Sequence, residues 1–324
     1  MRTFTKVAIC VAGVTVAAAG AVLVRELMVR RLAGLAIKRA TPEQLKRGKG
    51  RNKISGAKRD DAEVARRREM SDILAASEHE TVEITAFDGI NLVGHFFRAE
   101  NQKRIVIAMH GWRSKWSNDF APITEFFLNS GCSVLYPEQR GQNASGGDCM
   151  GFGVIERFDC LEWAKYIANR EGMDVPVYLY GVSMGAATVM MASELELPDS
   201  VAGIITDCGY TSPQAIWKHV TQNNMHVPYA IVASRVDKEY KRLTGYECDA
   251  TCTGALSRTR IPVLFIHGTE DKFVPVSMTY ENYTACASEK ELLIIPGAPH
   301  VRSYTVDKDR YERKISEFFA KHDK

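Results

Sequence analysis

The stretch VPVYLYGVSMGAA, residues 175–187, decides the fold. Its first half is a short, almost wholly apolar run, the pattern of a strand buried on both faces. The run ends in Gly181-Val182-Ser183-Met184-Gly185, a G-x-S-x-G arrangement, and the small residues Ala186 and Ala187 then open a helix. A serine hydroxyl is presented above a sheet only by a sharp strand-to-helix turn, and flanking glycines remove the side chains that would collide there. The pentapeptide recurs by chance in many chains. The strand before it and the helix after it give it meaning.

Working outward, the same kind of buried run occurs at 104–110 (RIVIAMH), 132–137 (CSVLYP), 201–207 (VAGIITD), 261–268 (IPVLFIHG) and 291–297 (ELLIIPG). Amphipathic stretches at roughly 119–130, 154–170, 184–195, 276–287 and 307–321 separate them. Upstream, 81–87 and 91–97 flank Asp88-Gly89, a hairpin signal. Two antiparallel strands followed by six interleaved with helices predict a mostly parallel, eight-stranded α/β sheet with flanking helices. Chemistry on such a sheet belongs to loops at the carboxyl ends of its strands. The connection between Asp207 and Ile261 is too long for a bare crossover, and helices near 213–221 and 228–243 predict a small lid within residues 208–260.

A serine hydroxyl becomes nucleophilic only when a base takes its proton, and that base must be oriented by a carboxylate. Asp271, in HGTEDKFVP after the strand 261–268, and His300, in PGAPHVRSY after the last strand, supply these in the order Ser, acid, His. Glu270 rivals Asp271, but Asp271-x-x-Val274-Pro275 leads directly into the next helix and favours the aspartate. Among the other histidines, His79, His95 and His322 lie on unsuitable segments, His219 and His226 fall in the lid, and His267 reads as a structural strand-end residue. The oxyanion of an acyl-transfer intermediate needs two N–H donors. The backbone of Met184, at a helix start, is one candidate and that of Trp112, in His110-Gly111-Trp112 after the strand 104–109, the other. His110 reads as a hydrogen-bonded loop residue. Trp112 and Trp116 fit an acyl pocket and the core equally well.

Together these elements resemble the α/β-hydrolase superfamily, in particular its serine aminopeptidase, acyl-CoA thioesterase and cephalosporin-deacetylase-like branches, over about residues 80–322. HGW at 110–112, PEQRG at 137–141, GVSMG at 181–185, HGTEDKFVP at 267–275 and APH at 298–300 carry the resemblance in order. The chain departs from it at 138–146, where Glu138-Gln139-Arg140-Gly141-Gln142-Asn143-Ala144-Ser145 replaces the usual D-x-R-G-x-G-x-S.

The N-terminal region is of a different kind. Val7 to Val24 read VAICVAGVTVAAAGAVLV, eighteen residues without a charge, which as a helix extends about 27 Å and matches a bilayer's hydrocarbon core. Leu23 and Val24 run straight into Arg25 with no polar cleavage region, so the segment reads as an uncleaved single-pass transmembrane anchor within residues 1–40 rather than a secretory signal. Arg25, Arg30, Arg31, Lys38 and Arg39 outnumber Arg2 and Lys6, which leans to a cytoplasmic catalytic domain; an anchored, exported hydrolase gives the opposite, and both orientations stand. Residues 41–78 read as a basic helical linker, with Lys46, Arg47, Lys49, Arg51, Lys53, Lys58, Arg59 and Arg66 to Arg68 against few acids, and residues 79–324 as the hydrolase domain.

A chain of 324 residues that is 45% hydrophobic, 25% charged and +3 in net charge has ordinary globular composition and gives no reason to expect a nucleic-acid partner. Its eight cysteines are scattered and have no zinc-site spacing, so free buried thiols are the main expectation, with a Cys248–Cys252 bridge the alternative. The sequence therefore predicts a serine hydrolase of carboxylic esters or thioesters acting through an acyl-enzyme on Ser183, with no metal or organic cofactor. The expected substrate is a small acyl ester or lipid-like molecule. A peptidase or amidase on the same residues, and a catalytically silent membrane-tethered binding protein, are the alternatives.

Overall fold

The computed structural model describes residues 23–39 and 61–323. Eight strands form one sheet: β1 (Glu80–Thr85), β2 (Asn91–Phe97), β3 (Arg104–Met109), β4 (Cys132–Pro137), β5 (Val177–Val182), β6 (Val201–Asp207), β7 (Val263–Gly268) and β8 (Lys290–Ile295). Their spatial order is β1-β2-β4-β3-β5-β6-β7-β8. β2 pairs antiparallel with both β1 and β4, and every pairing from β4 through β8 is parallel. This is the expected mostly parallel sheet, with its opening hairpin turning at Gly89, where a φ of 85° requires glycine.

The central strands are apolar throughout because both faces are covered. Ile105, Ile107, Met109 and Leu179 point to one layer, while Val106, Ala108, Tyr178 and Tyr180 point to the other. Helices Glu156–Glu171, Met184–Ala192, Cys252–Leu256 and Val276–Ala285 cover the first face, and helices Trp116–Asn129 and Lys308–His322 the second. Each large side chain sealed in these layers contributes about 1.5–3 kcal/mol. Trp116, for which a pocket position was one expectation, belongs to the core instead: it is buried and stacks on His95 at 4.4 Å and on Tyr136 at 5.5 Å.

Between β6 and β7 the predicted insertion contains helices Pro213–His219 and Ala233–Thr244, joined through a π turn (Val220–Asn224) and a 3₁₀ turn (Tyr229–Ile231). Upstream, helix Asp61–Ala76 packs on helix Trp116–Asn129: Ser71 and Ser117 hydroxyls meet at 2.8 Å, and the buried Arg67 donates to the Asn118 carbonyl at 3.1 Å. A helix also spans residues 23–37. Among the described residues no helix is long and apolar enough to cross a membrane. The anchor expected at Val7 to Val24 lies outside them except for its last two residues, as do residues 41–60 of the expected linker. All seven cysteines of the described residues are free thiols, so Cys248 and Cys252 do not pair.

Candidate active site

Ser183 stands between β5 and the helix Met184–Ala192 with φ 55° and ψ −116°. A non-glycine residue in such a conformation costs on the order of 1–3 kcal/mol and must be held by its surroundings. Here the Ser183 N–H donates to the Asp207 carbonyl at the end of β6 (2.9 Å), and Ala187 N–H donates to the Ser183 carbonyl (3.1 Å). The two glycines are sterically obligatory. A Cβ on Gly181 would lie 2.2 Å from the Gly185 carbonyl oxygen, and one on Gly185 would lie 1.9 Å from that of Met109. Arg113, Cys208 and Val301 also have positive φ, so strained backbone gathers in the loops after β3, β6 and β8 that surround the serine.

These loops bring the three sequence-predicted residues together. His300 Nε2 lies 3.0 Å from Ser183 Oγ, and His300 Nδ1 lies 2.6 Å from Asp271 Oδ2. Asp271 is buried, and its other oxygen accepts the backbone N–H groups of Phe273 and Val274, both at 2.9 Å. Burial pushes the Asp271 carboxyl up, but the charge of His300 and hydrogen bonds from His267 and His300 outweigh it and hold the carboxylate well below its usual range. An ionised Asp271 fixes the proton of His300 on Nδ1 and leaves Nε2 to accept from Ser183. The arrangement can activate the hydroxyl. Glu270 is exposed beside it and makes no comparable contact.

His267 does more than end a strand. Its Nε2 faces the Val274 carbonyl at 2.9 Å and Asp271 Oδ2 at 3.1 Å, two acceptors, so that nitrogen carries the proton, while Nδ1 meets the Thr279 hydroxyl at 2.6 Å. It is fully buried and is a positioning residue for the acid. The sequence signal that could have found it is its spacing, four residues before Asp271 across the strand-end turn.

Met184, as the first residue of its helix, has no carbonyl one turn back within that helix to take its N–H. The loop bearing Trp112 is fixed by Asp119, whose carboxylate accepts from Gly111 N–H (2.8 Å) and the Ser114 hydroxyl (2.7 Å). His110 accepts from Gln139 N–H through Nε2 (3.1 Å) and so donates through Nδ1 to the Gly111 carbonyl (2.8 Å). The Gln139 side chain donates to the His110 carbonyl and accepts from Thr188 on the serine's helix (3.1 Å). The divergent segment at 138–146 therefore ties the Trp112 loop to the elbow.

Two cavities meet at Ser183. The smaller, about 400 Å³, is lined by Gly111, Trp112, Asp119, His300 and Val301. The larger, about 1050 Å³ and partly open to solvent, reaches Ser183, Met184 and Trp112 but not His300. Its walls are almost entirely apolar side chains of the lid and of helix 23–37. Cys208 forms a grouping with Asp271 and His300 whose ligand-type atoms lie within 4.8 Å. Burial raises the Cys208 thiol well above its ordinary value, keeping it protonated and a poor metal ligand.

Sheet order, the strand-to-helix turn at Ser183 and the Ser-His-Asp row define the class of this protein: it has the α/β-hydrolase fold. The model of the family described as serine aminopeptidase, S33, matches residues 100–242. An uncharacterized protein, YqkD, of Bacillus subtilis is 25% identical over 245 residues, covering 74% of this chain and 80% of that protein. An uncharacterized protein, YfhR, of Escherichia coli K12 is 24% identical over 235 residues, 70% of this chain and 75% of its own. Among solved structures, the Pyrococcus furiosus esterase Pf2001 is similar with TM-score 0.64 and 22% identity over 79% of this chain and 94% of that one. A puromycin-hydrolyzing peptidase of Mycobacterium tuberculosis is similar with TM-score 0.59 and 16% identity over 76% of this chain and 39% of that one.

Proposed function

We propose that this chain is a serine esterase that hydrolyses carboxylic esters or thioesters of apolar acyl groups. Ser183 Oγ attacks the acyl carbonyl carbon as His300 takes its proton. The N–H groups of Met184 and Trp112 hold the oxyanion, and the leaving group departs with the proton from His300 Nε2. Water, deprotonated by the same nitrogen, then releases the acid from the acyl-enzyme.

The observation that carries the reading is the division of space around Ser183. A leaving group must lie beside the imidazole that protonates it, which assigns it to the small cavity containing His300. The large apolar cavity then takes the acyl part. An aminopeptidase would need a carboxylate to receive the substrate's ammonium. Asp119 is the acid nearest the serine in these linings, but its oxygens already accept from Gly111, Ser114 and Asn118. The similarity to the Pyrococcus furiosus esterase agrees with the proposal.

The test is a panel of p-nitrophenyl esters of increasing acyl length, run beside aminoacyl amides and with fluorophosphonate labelling. Ester turnover and labelling, both lost in Ser183→Ala, are expected. Labelling that persists in Ser183→Ala, or turnover of amides alone, overturns the proposal. We further propose that the apolar run from Val7 to Val24 attaches the protein to a membrane. Retention in the membrane fraction after alkaline carbonate washing is the expected result, and release by the wash counts against it.

A further inference from the structure

We infer that helix 23–37 is a wall of the acyl-binding cavity and sets the acyl length that Ser183 accepts, the substrate being an ester of a long apolar chain. The inference rests on the acyl-transfer reading of Ser183.

Val29, Ala33 and Ile37 recur every four residues and form the buried face of this helix. Val29, Leu32, Ala33 and Ala36 line the cavity directly, across from Trp217 and Val232 of the lid. The helix is built into the site. Its Ala36 carbonyl accepts the indole N–H of Trp112 at 2.8 Å, so it touches the residue whose backbone faces the reacting carbonyl. At its end the Ile37 carbonyl accepts from Met150 N–H and Arg39 N–H donates to the Asp148 carbonyl, both at 2.7 Å. Glu26 pairs with Arg235 of the lid, a direct contact between helix and lid. Leu27, Arg30 and Arg31 face outward. Without this helix the lid has no apolar surface opposite it on that side. The cavity's apolar lining runs from Ser183 and Met184 out to Val29 and Leu32, more wall than an acetyl group can cover. Small residues at Ala33 and Ala36 keep that space open.

The experiment compares acetyl, octanoyl and palmitoyl p-nitrophenyl esters on the full chain carrying Ala33→Trp, with Arg31→Trp as a control that adds the same bulk to the exposed face. Ala33→Trp is expected to lower palmitoyl kcat/KM by roughly tenfold or more relative to acetyl, and Arg31→Trp to leave the ratio unchanged. A ratio that stays the same in Ala33→Trp, in protein still labelled by fluorophosphonate, overturns the inference while leaving the esterase reading intact. If the unaltered protein hydrolyses none of the esters, the esterase reading falls and the inference with it. Should Ala33→Trp lose labelling, Leu32→Ala decides by the opposite change: a widened wall is expected to raise the palmitoyl-to-octanoyl ratio, and no rise overturns the inference.

Discussion

Replacing His267 with phenylalanine separates the support of the acid from the acid itself. Phenylalanine keeps the ring and much of the volume of this fully buried side chain but removes both nitrogens. Asp271 then loses one of four donors, a hydrogen bond to a charged group that contributes about 1.5–3 kcal/mol, and the Val274 carbonyl is left without its 2.9 Å partner. Together the two losses amount to about 2.5–6 kcal/mol of stability. Catalysis should suffer less than in Asp271→Asn, where a loss on the order of 10⁴ in kcat is expected from the wrong imidazole tautomer. Phe273 N–H, Val274 N–H and His300 still hold the carboxylate. If the whole lost bond is felt in the transition state, kcat falls roughly tenfold to a hundredfold.

The pH dependence has a definite sign. Asp271 has a depressed folded pKa, so its stabilisation is present above the ordinary value of 3.8 and is lost as pH falls through the folded value. Removing a donor raises that folded value and moves acid unfolding to higher pH. Urea titrations across acid pH, with kcat on a p-nitrophenyl ester, check both parts. A stability change under about 0.5 kcal/mol, which is the size of an ordinary surface substitution, would refute the reasoning, as would a kcat loss as deep as that of Asp271→Asn.

Two further outcomes are expected. Gly185→Ala forces a Cβ to within 1.9 Å of the Met109 carbonyl oxygen, against the backbone of Met109 and His110, and should cost more than about 3 kcal/mol with loss of fluorophosphonate labelling; thermal unfolding and labelling check it. Burial, partly offset by His267 and by hydrogen bonds from Tyr311 and Ser303, raises Asp207 from 3.8 to about 6, so the folded chain holds this proton longer than the unfolded one and stability contributed here falls as pH rises from about 4 to 6. Asp207→Asn should flatten that segment of the urea-derived stability curve, and an unchanged slope counts against the assignment.

The strands were legible because each carries a run too apolar for anything but a doubly covered sheet, and Asp271 and His300 because acid and base must follow the nucleophile on neighbouring strand ends. Trp116 was ambiguous because an aromatic beside a catalytic loop fits core and pocket alike; only its stacking on His95 and Tyr136 decides it. His267 reads in the sequence as a strand end because hydrogen-bond direction does not appear there. Residues 23–37 were hidden by their position. Following an apolar run and rich in arginine, they read as the flank of an anchor, yet the buried face formed by Val29, Ala33 and Ile37 finds its partners across the lid and the loop at 148–150, far away in sequence.

The Arg39 guanidinium grips the carbonyls of Asn143, Ser145 and Gly147, and the Asn143 amide in turn holds the Ser114 carbonyl at 2.9 Å, just beyond Trp112. With the Trp112 indole latched to Ala36, the loop that bears Trp112 is strung between two points on the same short stretch, residues 36–39. A load applied to the chain on the amino-terminal side of residue 39 is therefore borne by the catalytic loop, and the register of that one helix end calibrates the geometry at the serine.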